Sequence, residues 1–402
     1  MLQKPAKPYR VAIFHQGCVP VYRRGFYVRL AETSRNQYVV FHGKPPSNTS
    51  LQVAKPPFPF ANVEVGTVEL RLKKALLIWQ AAVSRYVKGR FDGVVIGHEF
   101  KFLSSFAILA LAKLRRRPVF WWGFGYRKAY GSWEEGGARP PLKDRIARWA
   151  ADRLARLGDG YLAYTEKGRE HLLSIGVPAD RIQVVRNTID VEEQIVLADK
   201  AAAFDDAEIR AEFGLRPGSD VLLYVGRLVP RKEVDSLVRF AVASPQVDGR
   251  PVDVLVIGDG EERARLEALA GGARNIRFAG AIDPSDLRIA KAMKLCRAVV
   301  IPGYLGLAIN HAFAHGRPII TRKHDFHSPE IEYLTEGEDS LLIAGDEADF
   351  HKGLAAFLAA PEEQQRLAAN AAARRETLRM DYMVKAYDDF ISRVVANADN
   401  GR

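Results

Sequence analysis

The sequence predicts an α/β fold of two doubly wound domains with mostly parallel sheets, facing each other across a cleft. Three observations carry this. The chain has 402 residues, beyond the size at which a single core usually stops growing. Short apolar runs alternate with helical stretches, the pattern of a parallel sheet covered on both faces. That alternation runs once, breaks at a charged stretch with no strand signal, and then runs again.

In chain order, "YRVAIFHQG" reads as a first strand and turn, and "QYVVFHG", "FDGVVIGHE" and "RPVFWWGFG" repeat it. Helical stretches are expected between them, from Glu69 to Lys88 and from Ser104 to Arg115. On the first of these, Leu72, Leu76, Trp79, Val83 and Tyr86 fall on one helical face, with Lys73, Lys74, Arg85 and Lys88 off it. That is the pattern of a sheet-covering helix with a basic outer side. "DGYLAYTEKGREHLLSIGVPADRIQVVRNTID" continues with strand, helix, proline turn and strand. The break runs from Val191 to Leu215. The expected division is 1–190 for an N-terminal domain, 191–375 for a C-terminal domain, and 376–402 for a terminal helix reaching back toward the first domain. The second series comprises "VLLYVGRL", "VDVLVIGDG", "NIRFAGAI", "AVVIPG", "RPIIT" and "SLLIAG". In open parallel sheets ligands bind beyond the carboxyl ends of strands, where the glycine turns stand. "GKPPSNTSLQVAKPPFPF" and "RKAYGSWEEGGARPP" are expected to be mobile loops.

Composition narrows the class. Hydrophobic content is 48% and charged content 27%, as in ordinary globular proteins. Cys18 and Cys296 lie too far apart in sequence to suggest a metal or disulfide framework, which fits a reducing cytosol. The first apolar run has only four residues, so no signal peptide is expected. "FAILALA" is too short to span a bilayer. The net charge of +11 is unevenly placed, with 32 basic and 14 acidic residues through Asp190 and 27 basic and 34 acidic beyond it. A basic first half implies an acidic partner: nucleic acid, an anionic membrane surface or a phosphorylated substrate. No RRM, KH or helix-turn-helix signature supports nucleic acid.

Three stretches carry candidate chemistry. In "YVGRLVPRKEVDSLVRF" a strand ends at Gly226, and Arg227 and Lys232 follow. A guanidinium fork and an ammonium at one strand end can converge on a diphosphate. A solvated basic loop is the plain alternative. In "VIGDGEERARLEALA", Gly258 and Gly260 make the turn, and Asp259 or Glu261 could cap the helix. In "VVIPGYLGLAINHAFAHGRPIIT" a helix is expected to start near Gly306 and stop before Gly316 and Pro318. Gly303 and Gly306 allow close backbone approach. The free amides at the helix start, Gly306 and Leu307, favour a phosphate.

These residues resemble the retaining GT-B glycosyltransferases of family four (glycosyltransferase group 1), over about residues 187–343. The matching positions are Gly226, Arg227, Leu228 and Lys232, Gly258 and Gly260, and Phe278, Gly280 and Ile282. Gly306 and Leu307, Ala312 or Ala314 through Gly316 and Pro318, Glu330, and Asn187 with Asp190 complete them. The resemblance implies two Rossmann-like domains and a nucleotide-sugar donor held mainly by the second. Its diphosphate would lie between Arg227, Lys232 and the amides at Gly306 and Leu307. It further implies donor contacts from Gly226, Gly258, Gly280, Ile282, Gly303, His311 and Glu330. The acceptor would sit on the first domain near His15, Gln16, Gly17, His98 and Glu99. His98 stands at a strand end, and Glu99 beside it could serve as a base. Ordinary turn residues are the alternative for all of these.

The resemblance also has departures. The family's two glutamates, with seven residues between them, align with Gly303 and His311. His311 could still hydrogen-bond a ribose hydroxyl. A histidine that often lies near the donor's C6 aligns with Phe124, an apolar ring suited to a 6-deoxy sugar such as fucose or rhamnose. The expected activity is retaining transfer from a nucleotide diphosphate sugar to a lipid-linked saccharide or polysaccharide precursor, without metal or other cofactor. The expected place is the cytoplasm, peripheral on the inner face of a membrane. A sugar-nucleotide epimerase, or a weakly active or inactive sugar-nucleotide-binding protein, is the alternative. His311 and His315, with His324 and His327 following, have zincin-like spacing, but Ala312 stands where the glutamate base would be.

Overall fold

The computed structural model describes residues 8–400 apart from 16, 48–51, 73–74, 127–140 and 325. It divides into two compact units, Met1–Ile189 with Met380–Arg402, and Asp190–Arg379.

The first unit contains β1 (Arg10–Phe14), α1 (Val21–Thr33), β2 (Gln37–His42), β3 (Asn62–Glu64), β4 (Thr67–Leu72), β5 (Ala75–Gln80) and α2 (Val83–Gly89). β6 (Gly93–Gly97), α3 (Leu103–Leu114), β7 (Val119–Gly123), α4 (Leu142–Ala155), β8 (Gly160–Ala163), α5 (Glu166–Ser174) and β9 (Ile182–Val184) follow. Its seven-stranded sheet has the order β3-β2-β1-β6-β7-β8-β9, and every pairing is parallel. Central strands such as "GVVIG" and "VFWW" are buried on both faces, which explains their continuous rather than alternating hydrophobicity.

One core of this unit is completed from the far end of the chain. Helix α14 (Met380–Asn400; α6–α13 belong to the second unit) buries Met383, Tyr387, Phe390, Ile391 and Val395. They pack with Phe26, Phe120 and Trp122, and the rings of Phe26 and Tyr387 lie 5.1 Å apart. Arg23 is fully buried in the same core. Its guanidinium donates to Asn187 Oδ1 and lies 4.7 Å from the Trp122 ring.

Two expectations fail in this unit. Glu69 to Lys88 is not one helix. Thr67–Leu72 and Ala75–Gln80 form an antiparallel hairpin, and only Val83–Gly89 is helical. The strict alternation of Val68, Leu70 and Leu72 with Thr67, Glu69 and Arg71 is a strand period, and it outweighs the helical spacing that runs through Leu76 and Trp79. The loop expected to be mobile after Gly43 is tied down in its described part. Val21 N–H donates to Gln52 O at 2.9 Å and Ala54 N–H to Val19 O at 2.8 Å, and the rings of Phe58 and Phe60 stack 5.2 Å apart. Most of the other expected loop, 127–140, lies outside the described residues, as does Gln16.

The second unit contains α6 (Val191–Ala202), α7 (Asp206–Phe213), β10 (Asp220–Val225), α8 (Val234–Ala243), β11 (Gln246–Val247), β12 (Arg250–Ile257), α9 (Arg263–Ala270) and β13 (Ile276–Gly280). It continues with α10 (Leu287–Leu295), β14 (Cys296–Val300), α11 (Ala308–Ala314), β15 (Ile319–Arg322), β16 (Ser340–Ile343), α12 (Glu347–Leu358) and α13 (Pro361–Arg374). Its parallel strands run β13-β12-β10-β14-β15-β16, and β11 adds antiparallel to β12. In chain order that is third, second, first, fourth, fifth, sixth. The strand order therefore reverses between β10 and β14, which are direct neighbours. A sheet of this kind opens a crevice at that point, beyond the carboxyl ends of the two strands. The unit runs to Arg379, past the expected end at 375.

Candidate functional site

The loops that leave β10 and β14 meet at this reversal. After β10 the chain passes Gly226, Arg227 and Leu228 into a short 3-10 turn, Pro230–Lys232. After β14 it passes Gly303 and Tyr304 toward α11. The two loops are hydrogen-bonded, Gly303 N–H to Lys232 O at 2.9 Å and Tyr304 N–H to Arg231 O at 2.7 Å. A Cβ on Gly303 would overlap Arg231 O and crowd Lys232 C. Gly303 is thus a glycine because the Pro230–Lys232 turn lies against it, and a glutamate there would have to push that turn away.

The cations gather around Tyr304. The Arg231 guanidinium lies 4.4 Å and the Lys232 ammonium 5.6 Å from the Tyr304 ring centre. Lys232 is half-buried. Burial pushes its ammonium down to about 8, and the neighbouring charges of Arg231 and Arg227 add to the effect. Arg227 itself is exposed at the rim, and the Tyr224 hydroxyl donates to its carbonyl at 2.7 Å. Glu233, the nearby carboxylate, is already engaged by Arg322 Nη1 at 2.9 Å and His324 Nε2 at 3.2 Å. Burial alone would raise its carboxyl, but His324 and Arg322 outweigh that and hold it low.

The turn into α11 presents donors. Among the described residues, no protein acceptor takes the amides of Gly306, Leu307 and Ala308. A Cβ placed on Gly306 would lie 3.8 Å from the Tyr304 ring and 3.6 Å from Ser328 Oγ. Ser328 is buried and its hydroxyl is unpartnered. His327 holds this turn from behind. Leu305 N–H donates to its Nδ1 at 3.1 Å, so its Nε2 carries the proton given to Arg322 O at 2.8 Å. Glu330 is buried in the 3-10 turn Pro329–Tyr333, which Ser328 N–H ties to Leu305 O at 3.0 Å.

Gly258 and Gly260 serve packing between strand-end loops. A Cβ on Gly258 would overlap Gly226 O, and one on Gly260 would overlap Leu228 O. Leu228 N–H donates to Asp259 O at 2.9 Å, and Gly258 N–H to Gly280 O at 2.8 Å. The spacing Gly-x-Gly therefore lets the loop after β12 lie flush against the loop that carries Arg227. Ile282, just beyond Gly280, is half-buried.

His311 and His315 converge on an amide. His311 Nδ1 and His315 Nε2 each lie 3.3 Å from Gln194 Oε1, and Gln194 Nε2 donates to Pro284 O at 3.1 Å. That last bond fixes the amide's orientation, so both histidines donate N–H to Oε1. His311 Nε2 is then a lone-pair acceptor. Burial pushes His311 down to about 4 and His315 to about 3, where His311, Arg317 and Arg375 contribute further. Gln194 has no sequence signature. Its position one turn into the helix capped by Asp190 is the available cue.

In the first unit the expected acceptor residues separate. His15 stacks on Trp122 at 4.1 Å, and its Nε2 lies 3.2 Å from the Tyr164 hydroxyl. The Phe124 ring meets Tyr164 edge-on at 5.3 Å, so Tyr164 brings His15 and Phe124 together. Burial holds His15 well below its ordinary value, and Arg23 and Lys101 add to this. His98 turns to the other face of the sheet, where its Nδ1 meets the Tyr161 hydroxyl at 2.8 Å. The Gly125 amide also donates to that hydroxyl, so Tyr161 gives its proton to His98. Burial pushes His98 down to about 4. Glu99 is paired with Lys101 at 2.7 Å. Gly17 has φ of +73°, and its Cβ position is taken by the Phe102 ring.

Two family profiles match the chain, "Glycosyl transferase 4-like domain" over residues 19–188 and "Glycosyl transferases group 1" over residues 205–374. The chain belongs to the group 1 glycosyltransferases. Its sequence is 30% identical to D-inositol 3-phosphate glycosyltransferase of Nocardia farcinica over 253 residues, 60% of this chain and 53% of that one. It is 26% identical to the protein of the same name from Frankia alni, over 81% of this chain and 82% of that one. The match spans about half the length of the first of these relatives. Among solved structures it is similar to Anabaena Alr3699/HepE in complex with UDP, with TM-score 0.67 and 14% identity, covering 96% of this chain and all of that one. Sucrose-phosphate synthase from Thermosynechococcus elongatus gives TM-score 0.68 and 16% identity over 98% of this chain and all of that one. The fold of this group 1 glycosyltransferase is GT-B. No helix among its described residues is long and apolar enough to cross a membrane.

Proposed function

We propose that the chain is a retaining glycosyltransferase that takes a nucleotide diphosphate sugar as donor and a lipid-linked saccharide or polysaccharide precursor as acceptor. The observation that carries the donor half is the junction of the Lys232 turn with the Gly303–Leu307 loop at the β10/β14 reversal. The two joined loops carry Lys232, close enough to Arg227 to feel its charge, and the amides of Gly306 and Leu307, which no described residue accepts. UDP is bound by the similar Anabaena protein, which supports a nucleoside diphosphate in this chain.

In this reading Arg227 and Lys232 neutralise the diphosphate, and the amides of Gly306 and Leu307 with the Ser328 hydroxyl donate to its oxygens. His311 Nε2 accepts from a ribose hydroxyl. A neutral imidazole thus takes the acceptor's part of the family's carboxylate without its charge. As the glycosidic bond breaks, negative charge grows on the departing diphosphate, and the fixed cations stabilise it most at that moment. The leaving phosphate stays on the face that the acceptor enters and assists removal of its proton, which gives retention. Lys232→Ala or Arg227→Ala lowers the turnover rate on the order of 10²-fold or more. No metal is required where side chains supply the charge. Phe124 supports a donor without a 6-hydroxyl, and the basic first half supports a place on the inner face of an anionic membrane.

The test is a thermal-shift panel of sugar nucleotides, followed by turnover with lipid-linked acceptors and determination of the product anomer. Stabilisation by none of the panel removes the donor reading, and an inverted anomer removes retention. Preference for a 6-hydroxylated hexose removes the deoxy-sugar reading. Epimerised sugar formed from donor alone identifies an epimerase instead.

A further inference from the structure

We propose that the β4–β5 hairpin is the element by which this chain docks on an anionic lipid bilayer, its apolar face entering the interface while basic residues of the adjoining helix α2 meet headgroup phosphates. The proposal rests on the lipid-linked acceptor above and names the part of the fold that would bring the enzyme to it.

The pairing register puts Val68 opposite Trp79 and Leu70 opposite Leu77, so Val68, Leu70, Leu72, Leu77 and Trp79 share one face. Among the described residues nothing covers that face. Val68 is 66% exposed, Leu70 53%, Leu72 52% and Trp79 42%. Four large apolar side chains clustered in this way are unlike the scattered single exposures of an ordinary surface. The opposite face is engaged. Ile78 is buried, and Glu69 accepts from Ser47 N–H at 2.7 Å. A two-stranded ribbon is marginal by itself, so the one-sided anchoring leaves a built, unpartnered apolar plane.

Charge selects the occupant. Arg71 alternates to the opposite face, where its Nη2 donates to Ser47 Oγ at 2.7 Å. The next exposed cations in sequence among the described residues are Arg85 and Lys88 of the adjoining helix α2. The first 190 residues hold 32 basic against 14 acidic side chains. An apolar face with a tryptophan, carried on a unit with an excess of lysine and arginine, matches the layering of an anionic bilayer surface. The root of the hairpin is fixed. Gln80 Nε2 donates to Gly17 O at 3.0 Å, and Ile78 N–H donates to Lys101 O at 2.7 Å. Docking there would set the membrane beside the strand ends of β1 and β6, where the acceptor reading places the acceptor.

The test is sedimentation of the full chain with phosphatidylcholine vesicles, with and without phosphatidylglycerol, in the absence of any sugar nucleotide. Binding is expected to need the anionic lipid and to weaken with added salt. The double variant Leu70→Ser/Trp79→Ser is expected to bind about tenfold or more weakly, with its thermal unfolding and its response to nucleotide unchanged. Wild-type binding by that variant overturns the proposal. So does loss of binding in Ile146→Ser/Trp149→Ser, which alters the second exposed stripe on α4, with the hairpin variant unaffected. A wild-type chain that ignores vesicles but self-associates through Leu70 and Trp79 makes the face a protein interface and also overturns it. Vesicle binding that holds while no sugar transfer is found leaves the hairpin standing and removes only the activity.

Discussion

Lys232 is a cation kept between two arginines beside the ring of Tyr304, and this makes it costly without an anion. Its folded value of about 8 lies below its ordinary 10.5. The unfolded chain therefore binds more protons between those values, and stability of the ligand-free protein rises with pH across that window. Lys232→Met is expected to raise the ligand-free melting temperature while weakening nucleotide binding, as scanning calorimetry with and without ligand would show. In the wild type, affinity for a nucleotide sugar is expected to hold below about pH 8 and fall above it as the ammonium loses its proton. His311 and His315 act with the same sign at lower pH. The folded protein resists protonating them, so stability is lost as pH falls from the ordinary histidine value near 6.5 toward about 4. Urea midpoints from pH 7 to 4 should show that loss, and His311→Gln/His315→Asn should flatten it. At this scale the sequence made Arg227 and Lys232 visible because their residue types and spacing state the chemistry. Gln194, Ser328 and Tyr304 were not visible, because their parts arise from folding: an amide between two imidazoles, a hydroxyl under a turn, a ring beneath two cations.

The strand-end loops explain the glycines better than ligand approach does. Gly258 has no room for a Cβ against Gly226 O, whereas Gly306 meets only ordinary contacts. Gly258→Ala is therefore expected to cost stability and to displace Arg227. Gly306→Ala should fold normally and affect nucleotide binding alone. Paired denaturation and binding measurements separate the two. Helix α14 shows packing across the full length of the chain. Phe390 is 2% exposed and stacks over Gly160 in the first unit. Phe390→Ala should cost about 3–5 kcal/mol, measured by denaturant unfolding, while exposed Asp389→Ala should cost little. Most strands were legible from short apolar runs, many ending at glycine, but β3, β11 and the hairpin were not. The hairpin was hidden because Leu72, Leu76 and Trp79 satisfy a helical spacing by coincidence while Val68, Leu70 and Leu72 keep a strand period.

As a whole, the molecule is two parallel-sheet units of opposite charge balance, the first strongly basic. The break in the strand–helix alternation announced the boundary, since α6 opens at Val191 with Asp190 as its cap. The return of the last helix to the first unit was also expected, from residue 376; the structure begins it at Met380. The central claim is that the second unit binds a nucleoside diphosphate through Arg227, Lys232 and the Gly306 turn. Calorimetric titration of the intact chain with UDP and other nucleoside diphosphates tests it most directly. The account predicts that at least one binds, and that Arg227→Ala and Lys232→Ala each weaken it by roughly tenfold or more, as lost charged hydrogen bonds do. Equal affinity in wild type and in the double variant would contradict it.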